Sequence, residues 1–186
     1  MKKAILILCT AVLLTACGGE SEIENQATGL HDETADNNAY IVSTYEMLQL
    51  GGYIFTYRNY DVFLGSRADE LLEALGEPTD IFAAESCAFL GMDYIYYYPG
   101  VHFTTFSPDG EVDYILTVTF NDDSVETAEG AYIGMSMEQI MSIYGEPSET
   151  NAARTSYIKD GMSLNFIFDE GVLIDITYYY DNAITD

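Results

Sequence analysis

The residues with which this chain could do chemistry are few in kind: two histidines, three cysteines and 31 acidic side chains set against 6 basic ones. Nucleophilic catalysis needs a serine, cysteine or threonine activated by an adjacent base, most often histidine. His31 sits in a polar, acidic stretch, and His102 lies in a strand pattern between Val101 and Phe103, whose side chains face the other way. That alternation predicts a structural or exposed histidine on the face opposite the core or near an edge. Cys87 would need nearby positive charge or a helix start to become a reactive thiolate, and its nearest charges are Glu85 and Asp93. With Phe82, Phe89 and Leu90 beside it, burial as a small hydrophobe is the expectation. Neither Asn121-Asp122-Asp123-Ser124 nor Asp109-Gly110-Glu111-Val112-Asp113 has the alternating oxygen ligands, central glycine and closing glutamate of a calcium loop. No histidine–cysteine metal spacing and no phosphate-cradling glycine loop occurs. These patterns predict a protein that is not an enzyme and has no catalytic residue, no cofactor and no dedicated metal site. A cation-responsive surface protein, using the acidic residues weakly, is an alternative.

The chemistry that remains is recognition by a sheet face. In Met162 to Phe168, alternation puts Met162, Leu164, Phe166 and Phe168 on one side and Ser163 and Asn165 on the other. Likewise Val112, Tyr114, Leu116, Val118 and Phe120 oppose Asp113, Thr117 and Thr119, while Ile174, Ile176 and Tyr178 oppose Asp175, Thr177 and Tyr179. One face is core and the other is polar with tyrosines. Tyr97, His102, Thr104, Thr117, Thr119, Asp175, Thr177 and Tyr179 form the candidate binding surface, since tyrosine gives large contact area at low entropic cost. Tyrosine and threonine are also simply good strand formers, and that reading stands beside the functional one.

The elements that must carry this face recur within the chain. Leu64-Gly65, a helical pattern and Gly76-Glu77-Pro78 return as Ile133-Gly134, a helical pattern and Gly145-Glu146-Pro147, displaced by 69 residues. Leu71, Leu72 and Leu75 correspond to Ile140, Met141 and Tyr144, an apolar stripe that would face a sheet. Ser66 with Asp69 and Ser136 with Gln139 read as capping boxes. Gly76 and Gly145 suit helix ends, and the proline two positions on forbids continuation. Gly100 to Gly110 and Gly161 to Gly171 match at a displacement of 61, so the first copy holds eight extra residues within Thr79 to Asp93. Strands are expected at 94–98, 101–106 and 112–120, then at 155–158, 162–168 and 172–180. The predicted fold is α+β: two tandem repeats, each a short helix followed by a three-stranded antiparallel meander, with the helices on one face of the sheet. Repeat 1 spans 53–120 and opens with a hairpin about Arg58-Asn59; a linker covers 121–130, and repeat 2 covers 131–186. Units of this size bury too little surface to be stable alone, so the copies should pack together.

Ahead of the repeats lies an address. Lys2-Lys3 and an apolar run from Ala4 to Leu14 read as a secretory signal, too short for the roughly 20 residues of a membrane span. Residues 17–39 are polar and acidic, a composition that cannot offset chain entropy, and read as a disordered tether spanning about 25 Å. Residues 40–52 are an uncertain short element with helix slightly preferred. Loss of residues 1–16 removes Lys2 and Lys3 and leaves four basic residues against 31 acidic, a net charge of −27. Such a charge excludes nucleic acid as a partner, because phosphate recognition needs a basic footprint. With Cys9 in the signal, Cys17 at its end and Cys87 alone beyond, no intrachain disulfide is expected.

The segment Leu14-Thr15-Ala16-Cys17 resembles the lipobox of a bacterial lipoprotein. The resemblance implies cleavage before Cys17, acylation of that cysteine with palmitate-type chains, and a lipid anchor on the extracytoplasmic face of the cell membrane, with the bilayer as a partner. The repeated helix, Gly-Glu-Pro and strand-Gly-strand pattern resembles the small modules of beta-lactamase inhibitory protein and of SmpA/OmlA-type assembly lipoproteins. Ala84 to Gly91, Asp122-Asp123-Ser124-Val125, Thr127 to Gly130 and Ile133-Gly134 resemble a group of Gram-positive surface lipoproteins to which no activity attaches. From this comes the expected function: a lipid-anchored, non-enzymatic module that binds an unidentified protein or peptide through an open sheet face and the insertion around Cys87, with a secreted-enzyme inhibitor as the alternative. No contact residue carries over.

Overall fold

The computed structural model describes residues 52–151 and 153–184. The expected signal peptide, the tether, the lipid site Cys17 and all but Gly52 of the 40–52 element lie outside the described residues. A two-stranded hairpin opens the described chain, with β1 (Phe55–Tyr57) and β2 (Tyr60–Val62) paired antiparallel. Arg58 and Asn59 form its turn with φ of 49° and 65°, the paired left-handed geometry whose twist matches the flanking strands. Then follow α1 (Ala68–Leu75), β3 (Asp80–Glu85), β4 (Met92–Tyr98), β5 (Val101–Phe106) and β6 (Tyr114–Phe120). The second half contains α2 (Met137–Tyr144), β7 (Glu149–Thr150), β8 (Arg154–Lys159), β9 (Met162–Asp169) and β10 (Val172–Tyr180), closed by a 3₁₀ turn at Asp181–Ile184.

The strands correct the expectation of two helix-plus-three-strand repeats. β3 through β10 form one eight-stranded antiparallel sheet in the order β3-β4-β5-β6-β10-β9-β8-β7, so strand dominates the fold. The halves join through β6 and β10, where Thr119, Val118 and Thr117 pair with Thr177, Tyr178 and Tyr179. Two strands were not expected. β3 occupies the segment expected as an insertion, and β7 is two residues long. Neither shows buried–exposed alternation: β3 is exposed at nearly every position and β7 at both.

One face of this sheet carries the core. Phe103, Val118, Phe120, Leu164, Phe166, Ile176 and Tyr178 are buried there and join Phe55, Val62, Leu71 and Ile140 from the hairpin and helices. Aromatic rings fill the junction, with Phe55 5.1 Å from Phe120 and 5.8 Å from Tyr178 between centroids. Tyr144 packs 5.2 Å from both Tyr157 and Phe166. The helical stripe holds at Leu71 and Ile140 but not at Met141, which is exposed. Ile174, expected in the core, is also exposed, because a bulge between Leu173 and Asp175 resets the alternation and buries Leu173 instead.

Helix ends follow local chemistry. The Ser136 hydroxyl accepts from the Gln139 amide while the Gln139 side chain accepts from the Ser136 amide, a complete capping box. At α1 the corresponding expectation fails: Arg67 holds the cap position, and Ser66 donates its hydroxyl to the Phe63 carbonyl. Gly76 and Gly145 end the helices at φ 75° and 79° with ψ near the extended limit, a region open essentially to glycine alone.

Candidate functional site

The face opposite the core collects the residues expected to bind. Register places Tyr97 beside His102, His102 beside Thr119, and Thr119 beside Thr177. The same row continues through Asn165 and Ser156 to Glu149 at the β7 edge and reaches Asp80 at the β3 edge, crossing all eight strands. A neighbouring row runs Phe82, Ile95, Thr104, Thr117, Tyr179, Ser163 and Ile158. Tyr97, His102, Thr104, Thr117, Thr119, Asp175, Thr177 and Tyr179 are all half-buried on this one face. The β6–β10 junction is what brings the two sets of candidates together.

Hydrogen bonds fix the centre of the face. The Thr177 hydroxyl lies 2.9 Å from Asp175 Oδ1 and 3.1 Å from Thr119 Oγ1. With one proton to give, it serves the carboxylate, and Thr119 can donate to it in turn. His102 Nδ1 is 2.6 Å from Asn121 Oδ1, and its ring packs 5.4 Å from that of Tyr97. The imidazole is thus held by an amide and an aromatic ring, an arrangement that orients it.

Toward β7 the face dips into a polar groove of about 400 Å³. Ser156 donates to Asn165 Oδ1 at 2.7 Å, Asn165 Nδ2 donates to Ser163 Oγ at 3.1 Å, and Ser163 donates to Asp181 Oδ1 at 3.1 Å. Arg154, Tyr179 and Ile158 complete the walls. Burial holds the Asp181 carboxyl above its ordinary range, opposed by the Ser163 hydroxyl and reinforced by Glu149. A groove of alternating donors and acceptors suits a polar ligand or a polar side chain. Ser163 and Asn165 were legible from strand alternation. Arg154, Ser156 and Asp181 were not, since only the order of strands in the sheet unites them.

Cys87 departs from expectation. It is exposed in the turn between β3 and β4 rather than buried. Phe82 and Leu90 are exposed beside it, and only Phe89 turns inward, 5.1 Å from Phe106. The turn is shaped instead by Ser86, whose hydroxyl accepts from the amides of Ala88 and Phe89. Among the described residues, no group of three or more His, Cys, Asp or Glu side chains is placed to hold a metal ion, and no helix is long and apolar enough to cross a membrane. Comparison of the chain with family models, curated proteins and solved structures finds no match.

Proposed function

We propose that this protein is a lipid-anchored, extracytoplasmic binding module that engages a protein or peptide through the polar face of its sheet, without catalysing a reaction. The observation that carries this reading is the half-buried row from Tyr97 through His102, Thr119 and Thr177 to Asn165. It is a rigid, hydrogen-bonded surface of tyrosine, threonine and amide groups on strands, the kind of platform that supplies contact area without ordering cost. Anchorage rests on the Leu14-Thr15-Ala16-Cys17 sequence and on its resemblance to lipoprotein signals.

Site-specific photo-crosslinking on intact cells tests the face. A photoreactive side chain at Thr119, Thr177 or Tyr179 should give one discrete protein adduct, and the same group at Glu73 on the exposed side of α1 should not. Equal adducts at all four positions, or none at any, would contradict the reading. Labelled fatty acid should be incorporated into the natural chain and not into Cys17→Ala; label retained in that variant would dismiss the anchor.

A further inference from the structure

The two edges of the eight-stranded sheet are finished differently. β7 is only two residues long and carries an ion pair from Glu149 to Arg154 at 3.8 Å. β3 is six residues long and exposes Ile81 at 51% and Phe82 at 55%. Among the described residues no strand pairs with its outer edge, and the one bond made there is local, from the Ile81 amide to Asp80 Oδ1 at 2.9 Å. A long exposed edge is a template for an added strand, which proteins usually blunt. Register gives its direction. The Ser86 amide bonds the Gly91 carbonyl at 3.1 Å, and pairing continues as Glu85 with Met92 and Ala84 with Asp93. Hydrogen-bonded pairs alternate in an antiparallel ladder, so Ile81, Ala83 and Glu85 turn their N–H and C=O groups outward. Ile81 pairs with Tyr96 on the helix side, where Leu72, Gly76, Glu77 and Pro78 enclose with them a groove of about 280 Å³.

Charge selects what can enter. The chain carries a net −25, and an adjoining hollow along α1 is lined by Asp69, Glu111 and Asp113. Its one cation, Arg67, is already paired with Asp69 at 2.6 Å. Burial, together with Asp109, Asp69 and Asp93, pushes the Asp113 carboxyl above its ordinary range, which marks uncompensated negative charge beside the groove. A second copy of this chain would bring the same acidic edge and be repelled.

We propose that the outer edge of β3 and the Ile81–Leu72–Tyr96 groove bind an extended basic peptide segment of a partner protein as a ninth strand. Backbone hydrogen bonds to Ala83, to Glu85 and to the Ile81 carbonyl supply affinity, an aliphatic side chain fills the groove, and lysine or arginine faces Glu77 and Asp113. The groove lies on the helix side of the sheet, and the polar face meets β3 at Asp80 and Phe82 on the other side, so either surface can fail alone.

The test is titration of the full chain with a peptide of about eight alternating lysines and valines, read by calorimetry and by amide hydrogen exchange. Binding should protect the amides of Ala83 and Glu85. The same peptide N-methylated at alternate amides, and its glutamate counterpart, should bind about tenfold more weakly or worse. Ala83→Pro removes only an outward N–H and should weaken binding about tenfold with an unchanged melting temperature. Ile81→Lys, at an exposed position, should do the same should the proline variant fail to fold. Equal binding of the N-methylated peptide, or protection elsewhere, would overturn the proposal. So would Ala83 and Glu85 amides already protected without peptide, meaning that a segment of this chain holds the edge, or self-association abolished by Ala83→Pro.

Discussion

Tyr178 shows how a single buried atom can work against the fold that surrounds it. Its ring belongs to the core, yet its hydroxyl makes no well-formed hydrogen bond among the described residues, Thr127 being the one hydroxyl that acts on it and doing so from outside bonding geometry. Neighbouring Thr127 already accepts from the Ala131 amide and stands 2.6 Å from the Tyr144 hydroxyl. Tyr144 also reaches Glu129 Oε2 at 2.7 Å and gives its one proton to that carboxylate. An unsatisfied buried hydroxyl is costly, so Tyr178→Phe should raise unfolding free energy by about 1 kcal/mol in denaturant titration. A loss of stability would show that the hydroxyl is satisfied after all. Tyrosines also set the alkaline limit. Burial pushes the Tyr96 hydroxyl up from 10.0 to about 12, helped by Asp113, Tyr94 and Tyr98. The stability this represents is complete below pH 10 and is lost as pH rises toward 12, because the unfolded chain gives up the proton first. Stability against pH should fall across that window, and Tyr96→Phe should flatten the fall. At this scale strand alternation made His102 and the threonines legible. Cys87 was misread because its apolar neighbours suggested a core, whereas they lie in a turn beside an edge strand whose side chains are mostly exposed.

At the scale of elements, caps and turns were written locally and strand edges were not. Ser136 and Gln139 stand three apart and form their box, so Ser136→Ala should cost about 1 kcal/mol by thermal or chemical denaturation. No detectable loss would show that α2 is held by its buried Ile140 alone. Gly76 has open space around the position of an added Cβ, so the effect of Gly76→Ala is purely conformational. At φ 75° and ψ −169° that substitution should cost about 1–3 kcal/mol; a neutral result would mean the α1 terminus readjusts freely. β3 and β7 escaped the sequence because an edge strand with both faces exposed has no hydrophobic period to read. The bulge after Leu173 escaped for a related reason: one inserted residue exchanges the two faces, and nothing in Ile174-Asp175-Ile176 announces it.

At the scale of the whole molecule, internal similarity suggested two units, and the structure joins their strands in one eight-stranded sheet. Similar sequences can pack in many ways, and the pairing of β6 with β10 is a contact between residues 58 apart, as Thr119 and Thr177 illustrate. Long-range pairings of this kind leave no local trace. They nonetheless create the polar face, since Tyr97, His102 and Thr104 come from the first half and Asp175, Thr177 and Tyr179 from the second. The large negative charge keeps such a molecule soluble and resists self-association. The polar face depends on this joined sheet, whereas the β3 edge and its groove are built within the first half. The decisive measurement is solution NMR of the full chain, combining cross-strand Overhauser contacts with amide exchange. Close contacts between Thr119 and Thr177 and between Val118 and Tyr178, with β6 and β10 opening together in exchange, are expected. Absence of those contacts, with the two halves exchanging as separate units, would contradict the joined sheet and the binding face built on it.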